Sequence, residues 1–268
     1  MIATLHIQTA RRKNSTYLKN SYCTTPFKIA NITEDKRAGT LHLMLMSSSP
    51  GILDGDQYQL KIELEEGCAL QLHTQSYQRL FNMKRSASQS LEVYLAANAA
   101  FCFLPHPSVP HAQSAFKSTN KIYLSGACSL VFGEILTCGR KLNGEVFRFS
   151  KYHNITEVFL DNKLIVKENL LIEPANINLD EMGQLEGFTH QASLIYLHAT
   201  AKITTLSESL IEFLEKQTEL IFGITEAPAN GLIVRILGHK AEQLHDCLKA
   251  MAAILPQQIN LNPVADAT

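Results

Sequence analysis

The sequence contains no tryptophan, no CxxC pair and no basic cluster, and these absences exclude several classes of protein. It has 268 residues with 24 Lys and Arg against 25 Asp and Glu, a formal net charge of -1. A chain without a basic patch is not expected to bind nucleic acid or an anionic membrane. No apolar run approaches the roughly 20 residues of a membrane-spanning helix. The N-terminus also has no hydrophobic core of a secretory signal, so we expect a cytoplasmic protein.

The motifs of common catalytic and metal sites are missing too. There is no Gly-rich phosphate loop, HExxH pair, nucleophile elbow or EF-hand loop. The six cysteines are scattered, which is typical of free core cysteines in a cytosolic protein. His106 with His111, and His239 with His245, form pairs that could join carboxylates around Ni or Zn. Exposed histidines without a ligand are the simpler interpretation of both pairs.

What the sequence does contain is an eleven-residue pattern that occurs three times. The copies are IELEEGCALQL (62–72), VYLAANAAFCF (93–103) and IYLSGACSLVF (122–132). Each has a short alternating strand, a turn of small residues and a second alternating strand. A spacing of about thirty residues is typical of stacked units. Because one copy cannot bury its apolar face alone, we expect the copies to pack side by side into a continuous β core.

The pattern changes after residue 205. Upstream, a first strand is predicted at residues 2–8, followed by a polar stretch to about residue 21. Downstream, a helix is predicted at residues 207–217, capped by its first serine, and a second at residues 240–255. The apolar face of the first helix consists of Leu210, Ile211 and Leu214. The predicted fold is mainly β, with a stacked-strand, β-helix-like body and two α-helices near the C-terminus.

Side-chain alternation places two acids on inward faces of the repeat strands. Counting back from Ile62 by twos leads to Asp56, and counting forward from Phe132 leads to Glu134. Thr74 has the matching place in the first copy. Because an unpaired buried carboxylate is costly, such acids should be paired, protonated or line a water- or ion-filled passage. Alternatively, the strands stop at residues 57 and 133 and both acids lie in solvated turns.

Five segments occur in the order found in a known family. They are SPGILDGD (49–56), HTQSYQRLF (73–81), LPHPSVP (104–110), GEILTCGRKLNGEVFRF (133–149) and GLIVRILGHKAEQLHDCL (231–248). Together they resemble the urease accessory protein family UreD, called UreH in some bacteria. The most specific parts are Gly55-Asp56, Thr74-Gln75 and the loop from Gly139 to Glu145.

The resemblance implies a non-enzymatic role in the maturation of urease, a nickel enzyme. It implies a UreF-like helical partner, a UreG-like GTPase recruited through UreF, and the urease apoprotein. It also implies a nickel path through an internal tunnel, with Asp56 and Glu134 as transient ligands and Thr74 and Asp54 along the way. No tightly bound cofactor is expected.

The remaining expectations concern the loops and the domain. Arg140 and Glu145 are expected to fix their loop as a pair or, with Gln75, to contact a partner. His73 and His111 depart from the family pattern, and either adds a nickel ligand near an entrance or is simple drift. One domain over residues 1–268 is expected, with a strand-rich body to about 205, a helical part at about 206–256 and a mobile tail at 257–268.

Two other functions stay open at this stage. Stacked-strand folds often act on polysaccharides with paired carboxylates, and Asp54, Asp56 and Glu134 are candidates for that chemistry. The absence of tryptophan and the few aromatic residues on the predicted rim argue against sugar binding. A plain interaction module without a metal role is the third hypothesis.

Overall fold

The computed structural model describes residues 1–35 and 39–257, which form seventeen strands and two α-helices. The strands are β1 (Ile2–Arg12), β2 (Ser15–Cys23), β3 (Phe27–Asn31), β4 (Leu41–Ser47), β5 (Gln57–Leu64), β6 (Ala69–Thr74), β7 (Gln78–Leu80), β8 (Ala87–Leu95), β9 (Ala100–Phe103), β10 (Ser108–Pro110), β11 (Ala115–Leu124), β12 (Ser129–Thr137), β13 (Lys151–Leu160), β14 (Lys163–Ile172), β15 (His190–His198), β16 (Leu220–Ala227) and β17 (Gly231–Gly238). The helices are α1 (Ile203–Glu215) and α2 (Ala241–Ile254). The prediction of a mainly β chain with two helices near the C-terminus is confirmed.

Each copy of the repeat contributes one strand to each of two sheets. The first strands, β5, β8 and β11, are parallel neighbours in a seven-stranded sheet, and the second strands, β6, β9 and β12, are parallel neighbours in a ten-stranded sheet. Val93 is in register with both Ile62 and Ile122. Phe101 is likewise in register with Leu70 and Leu130. The equivalence read from the three copies is therefore confirmed residue by residue.

The turn inside each copy needs one residue with a left-handed backbone. Gly67, Asn98 and Gly126 have φ angles of 66°, 61° and 66°. Glycine, and more rarely asparagine, adopts this conformation at little cost. The short turns therefore lie together at one end of the stack, and the longer connections lie at the other.

The main core fills the space between the sheets. The seven-stranded sheet has the order β14-β13-β11-β8-β5-β1-β2, and the main path of the other sheet is β16-β17-β15-β12-β9-β6-β4-β3. Alternate residues are buried in the first strand of each copy, whereas β9 and most of β12 are buried on both faces. Each fully buried aliphatic side chain contributes about 1.5–3 kcal/mol relative to an exposed one. The stacked ladders of isoleucine, leucine, valine and phenylalanine therefore supply much of the hydrophobic stabilisation.

Both helices pack on the outer face of the ten-stranded sheet, where α2 contacts β12, β15 and β17. The first helix begins at Ile203 and not at residue 207, and its N-cap residue makes no side-chain capping bond. It begins earlier because Ile203 and Leu206 pack on the same cluster as Leu210 and Leu214. Ile211 is 36% exposed, so its predicted place on the apolar face is wrong.

Two features of the periphery differ from expectation. The polar stretch before residue 21 is strand β2, which pairs with β1 at the sheet edge and is mostly exposed on both faces. Because neither face is buried, it carries no apolar alternation. All six cysteines are free and five are buried, but Cys23 on this edge strand is exposed.

Two further findings concern the ends and the helices. Residues 258–268, most of the predicted mobile tail, lie outside the described residues. Within the described ranges, the helices are too short and too polar to cross a bilayer.

Candidate functional site

An internal cavity of about 140 Å³ lies between the two sheets. It is at the end of the stack where strands of the seven-stranded sheet begin and strands of the ten-stranded sheet end. Its wall is partly apolar, but its polar members include Thr74, Gln78, Gln89, Ser118, Asn120 and Glu134. A polar cavity of this size has room for several water molecules or a hydrated ion.

Glu134 is the acid that the fold directs into this cavity. Strand β12 continues past it to Thr137, so the strand does not stop at residue 133. The Glu134 carboxylate accepts hydrogen bonds from Asn120 Nδ2 at 3.0 Å, Asn154 Nδ2 at 2.6 Å and Thr156 Oγ1 at 3.1 Å. These three partners belong to the opposite sheet. The inward orientation predicted for Glu134 from strand alternation is confirmed.

The surroundings of Glu134 act on the pKa of its carboxyl group in opposite directions. Burial raises the pKa of Glu134 to about 7, although the three hydrogen bonds favour the ionised form. The nearby Tyr152 hydroxyl is also buried, and both its burial and the charge of Glu134 raise the pKa of that phenol. The carboxyl group therefore keeps its proton to a higher pH than an exposed acid does, and an approaching cation would favour loss of that proton.

The polar residues that hold Glu134 were not predicted. Asn120 and Asn154 are buried, as is Thr156, and Asn120 Nδ2 also lies within hydrogen-bond distance of Asn154 Oδ1 and Thr156 Oγ1. All three occupy inward positions of strands whose other inward residues are mainly apolar. That break in the alternation was the available signal, since a polar residue on a core face needs a partner there.

The other two candidate acids have different surroundings. Asp56 is 3% exposed and directly precedes β5, so the strand begins where the alternative interpretation put it, yet the acid is not in a solvated turn. Its carboxylate lies 3.0 Å from the N-terminal amine and accepts the Leu53 N–H at 2.9 Å. Asp54 accepts the Arg85 N–H at 2.9 Å. The described residues that line the cavity include Glu134 but neither Asp54 nor Asp56.

Thr74 and Gln75 lie at the rim of the same cavity. The Thr74 hydroxyl accepts the backbone N–H of His106 at 2.9 Å and lies 2.9 Å from His106 Nδ1. Gln75 is exposed, and its backbone N–H donates to Leu45 at 3.1 Å. Thr74 therefore links the end of β6 to the connection that follows β9. The Gln75 side chain is available to a partner.

The loop from Gly139 to Glu145 is fixed by an ion pair. Arg140 Nε donates to Glu145 Oε2 at 2.8 Å, Arg140 Nη2 donates to Glu145 Oε1, and the Ala112 N–H adds a bond to the same carboxylate at 3.1 Å. The hydrogen bond from Arg140 is the main reason that the pKa of Glu145 is below its ordinary value. Glu145 thereby connects its own loop to the connection between β10 and β11, which contains Ala112. The exposed Arg140 remains accessible.

His111 and His245 are buried, so the interpretation of both as exposed histidines is wrong. His111 is 6% exposed and packs edge-on against Phe81 with ring centroids 4.7 Å apart. His245 is 9% exposed in α2 and packs against His106 at 4.6 Å. Burial lowers the pKa of His245 to about 4. Both side chains therefore serve as packing groups.

The structure does not assemble a closed metal site. Within residues 1–35 and 39–257, no three side chains from His, Cys, Asp and Glu are placed to hold a metal ion together. Asp56 and Glu134 each have their own separate partners. The arrangement can hold a dication only weakly, through one carboxylate and neutral oxygen groups.

Comparison with known proteins gives one consistent result. A family model described as UreD urease accessory protein matches residues 1–267. Urease accessory protein UreD of Flavobacterium johnsoniae is 47% identical over 253 residues, which cover 93% of this chain and 90% of that protein. The protein of the same name from Acetivibrio thermocellus is 34% identical, covering 94% and 96%. That of Actinobacillus pleuropneumoniae serotype 5b is 32% identical, covering 93% and 95%.

These names describe accessory proteins and not enzymes. The prediction that the chain is an accessory protein agrees with these names. The alternative of a polysaccharide-acting enzyme gains no support, because the acids proposed for it have separate partners in the fold.

Proposed function

Because this chain belongs to the UreD urease accessory protein family, we propose that it is a scaffold and metal conduit in urease maturation. In this proposal the chain is one domain that binds a UreF-like helical protein and, through it, a UreG-like GTPase. It also docks the urease apoprotein. Nickel is the cargo of this assembly and not a resident cofactor of the chain.

The observation that carries the proposal is the placement of Glu134 in a polar cavity between stacked sheets. A conduit needs groups that attract a cation strongly enough to admit it and weakly enough to release it. One carboxylate with a pKa of about 7 meets that condition, since it becomes charged when a dication approaches. The surrounding amide and hydroxyl groups supply further oxygen atoms without adding charge.

The rim residues have separate roles in the proposal. Thr74 borders the cavity next to His106, which gives a cation a polar route from the surface. Asp54 and Asp56 precede β5 at the same end of the stack and act as acidic groups near the mouth. Gln75 is a contact residue for a partner. The paired Arg140 and Glu145 hold their loop in shape for such a contact.

We place the assembly in the cytoplasm. The six cysteines are all free, which suits a reducing compartment. A partner can contact the long connections at the cavity end. The turns of the repeat at the other end are short and tight, and they offer less surface.

Co-expression tests the scaffold role. The chain is produced with the UreF-like protein of the same organism, one of the two is tagged, and the mass of the co-purifying complex is measured. A stoichiometric complex supports the proposal. A chain that remains monomeric and well folded beside its intended partner contradicts it.

A separate assay tests the conduit role. Urease is activated in cells that carry the complete set of accessory proteins with either Glu134→Ala or, as a control, Glu208→Ala, which alters an exposed acid in α1. We expect the Glu134 variant to assemble and yet to give urease with less nickel and lower activity. Full nickel content with that variant would contradict the conduit role and leave only the scaffold role.

A further inference from the structure

Two histidines meet on the outer face of the ten-stranded sheet, away from the cavity wall. His42 lies on β4 and His73 on β6, which are parallel neighbours with His73 opposite Met44. Both alternate with buried leucines, so both point outward, and both side chains are half-buried. His42 Nδ1 and His73 Nε2 are 3.3 Å apart, with the rings inclined by 17°.

This separation is long for a hydrogen bond, whose donor–acceptor distance is normally about 2.7–3.2 Å. It agrees with the edge of a coordination tetrahedron. Two imidazole nitrogens that bind one ion at about 2.0–2.1 Å in tetrahedral geometry are about 3.3–3.4 Å apart. The two nitrogens are therefore at the separation expected of two ligands of one ion, and strand pairing holds the two backbones side by side.

One further histidine, His106, connects this pair to the cavity rim. The residue after His73 is Thr74, whose hydroxyl lies 2.9 Å from His106 Nδ1. His106 lines the cavity, and it also packs against His245 of α2 with ring centroids 4.6 Å apart. The pair is thus joined to the cavity rim through Thr74 and His106.

We propose that His42 and His73 form a surface site for one divalent transition-metal ion, bound through His42 Nδ1 and His73 Nε2. Imidazole ligands favour Ni²⁺, Zn²⁺ or Cu²⁺ over Mg²⁺ or Ca²⁺. Since no described group of three ligating side chains is present, water or a ligand from a partner completes the coordination. The metal site itself does not depend on the function proposed above. A role of this site in passing metal to the cavity would rest on that function.

Isothermal titration of the full chain with Ni²⁺ tests the site. We expect His42→Gln and His73→Gln each to weaken the tightest binding step by at least about tenfold, as the loss of a ligand should, and the double variant to remove it. His153→Gln is the matched control, since His153 is on the other sheet and bonds to Asn169. Unchanged binding in the double variant overturns the proposal.

A second measurement on the unmodified protein covers the case in which a variant folds poorly. Substoichiometric Ni²⁺ is added while the imidazole resonances are followed by NMR. Selective paramagnetic broadening of His42 and His73 supports the site. Earlier broadening of His106, His245 or His153 overturns it. Co-purification with the UreF-like protein needs no metal, so failure of the scaffold is distinguishable from failure of this site.

Discussion

Replacement of Glu134 by glutamine should change how the stability of the protein depends on pH. The pKa of Glu134 rises from 4.5 to about 7 on folding, chiefly because of burial. The folded state therefore binds this proton more tightly than the unfolded state does. The resulting contribution to the free energy of unfolding is fully present below pH 4.5 and is lost as the pH rises through about 7.

The magnitude follows from the same two values. Each unit of pKa difference corresponds to about 1.4 kcal/mol, so the interval from 4.5 to about 7 corresponds to about 3 kcal/mol. Glutamine does not titrate. The stability of the unmodified protein relative to Glu134→Gln should therefore fall by about 3 kcal/mol between the lower and the upper end of this interval.

Urea unfolding of both proteins at several pH values from about 5 to about 8 measures this difference, and taking the difference cancels the titration of all other groups. Glu208→Gln, a change of an exposed acid in α1, is the control and should follow the unmodified protein. A difference that does not change with pH, or that grows as the pH rises, would refute the assignment of Glu134 as a cavity-facing acid with a raised pKa.

Three smaller predictions concern residues at the cavity end of the stack. Asp56→Ala should lower the free energy of unfolding by about 1–3 kcal/mol, because it removes the buried acceptor of the N-terminal amine and of a backbone N–H; an unchanged urea midpoint would contradict this. Gly139→Ala should cost about 1–3 kcal/mol, because its φ is 117° and a Cβ would lie 2.8 and 2.9 Å from two carbonyl oxygens. Thermal melting checks it against Gly223→Ala, where a Cβ meets nothing within 4 Å; equal shifts would argue against the strain. Thr74→Val should cost about 1–2 kcal/mol by leaving the His106 N–H without its hydroxyl acceptor, and Thr74→Ser should restore the melting temperature, so equal losses in both would point to packing instead.

The repeat shows what a single sequence determines about this fold. Alternation with a period of two residues specifies which side chains face the core, because a shift by one residue would expose the whole apolar set. Equal spacing in the three copies then specifies the register between them, as the alignment of Ile62, Val93 and Ile122 confirms. The same reasoning correctly directed Glu134 inward.

The sequence was less informative where no apolar pattern accompanies the structure. Strand β2 is polar on both faces, so only its pairing with β1 makes it a strand. The start of α1 depends on contacts of Ile203 and Leu206 with the sheet. The predicted start rested instead on a serine that could serve as an N-cap. Tertiary burial outweighed local capping in this case.

Partnerships between distant residues were decided by the tertiary structure alone. Asn120 and Asn154 reach Glu134 because two sheets face each other, and His42 meets His73 because β4 lies against β6. The sequence by itself determined the fold class, the inward and outward faces and the family. Which polar groups meet depends on packing between segments far apart in the chain, and alternation within one strand does not specify that. The same packing therefore decides that Glu134 faces the cavity with a raised pKa and that Asp56 pairs with the N-terminal amine.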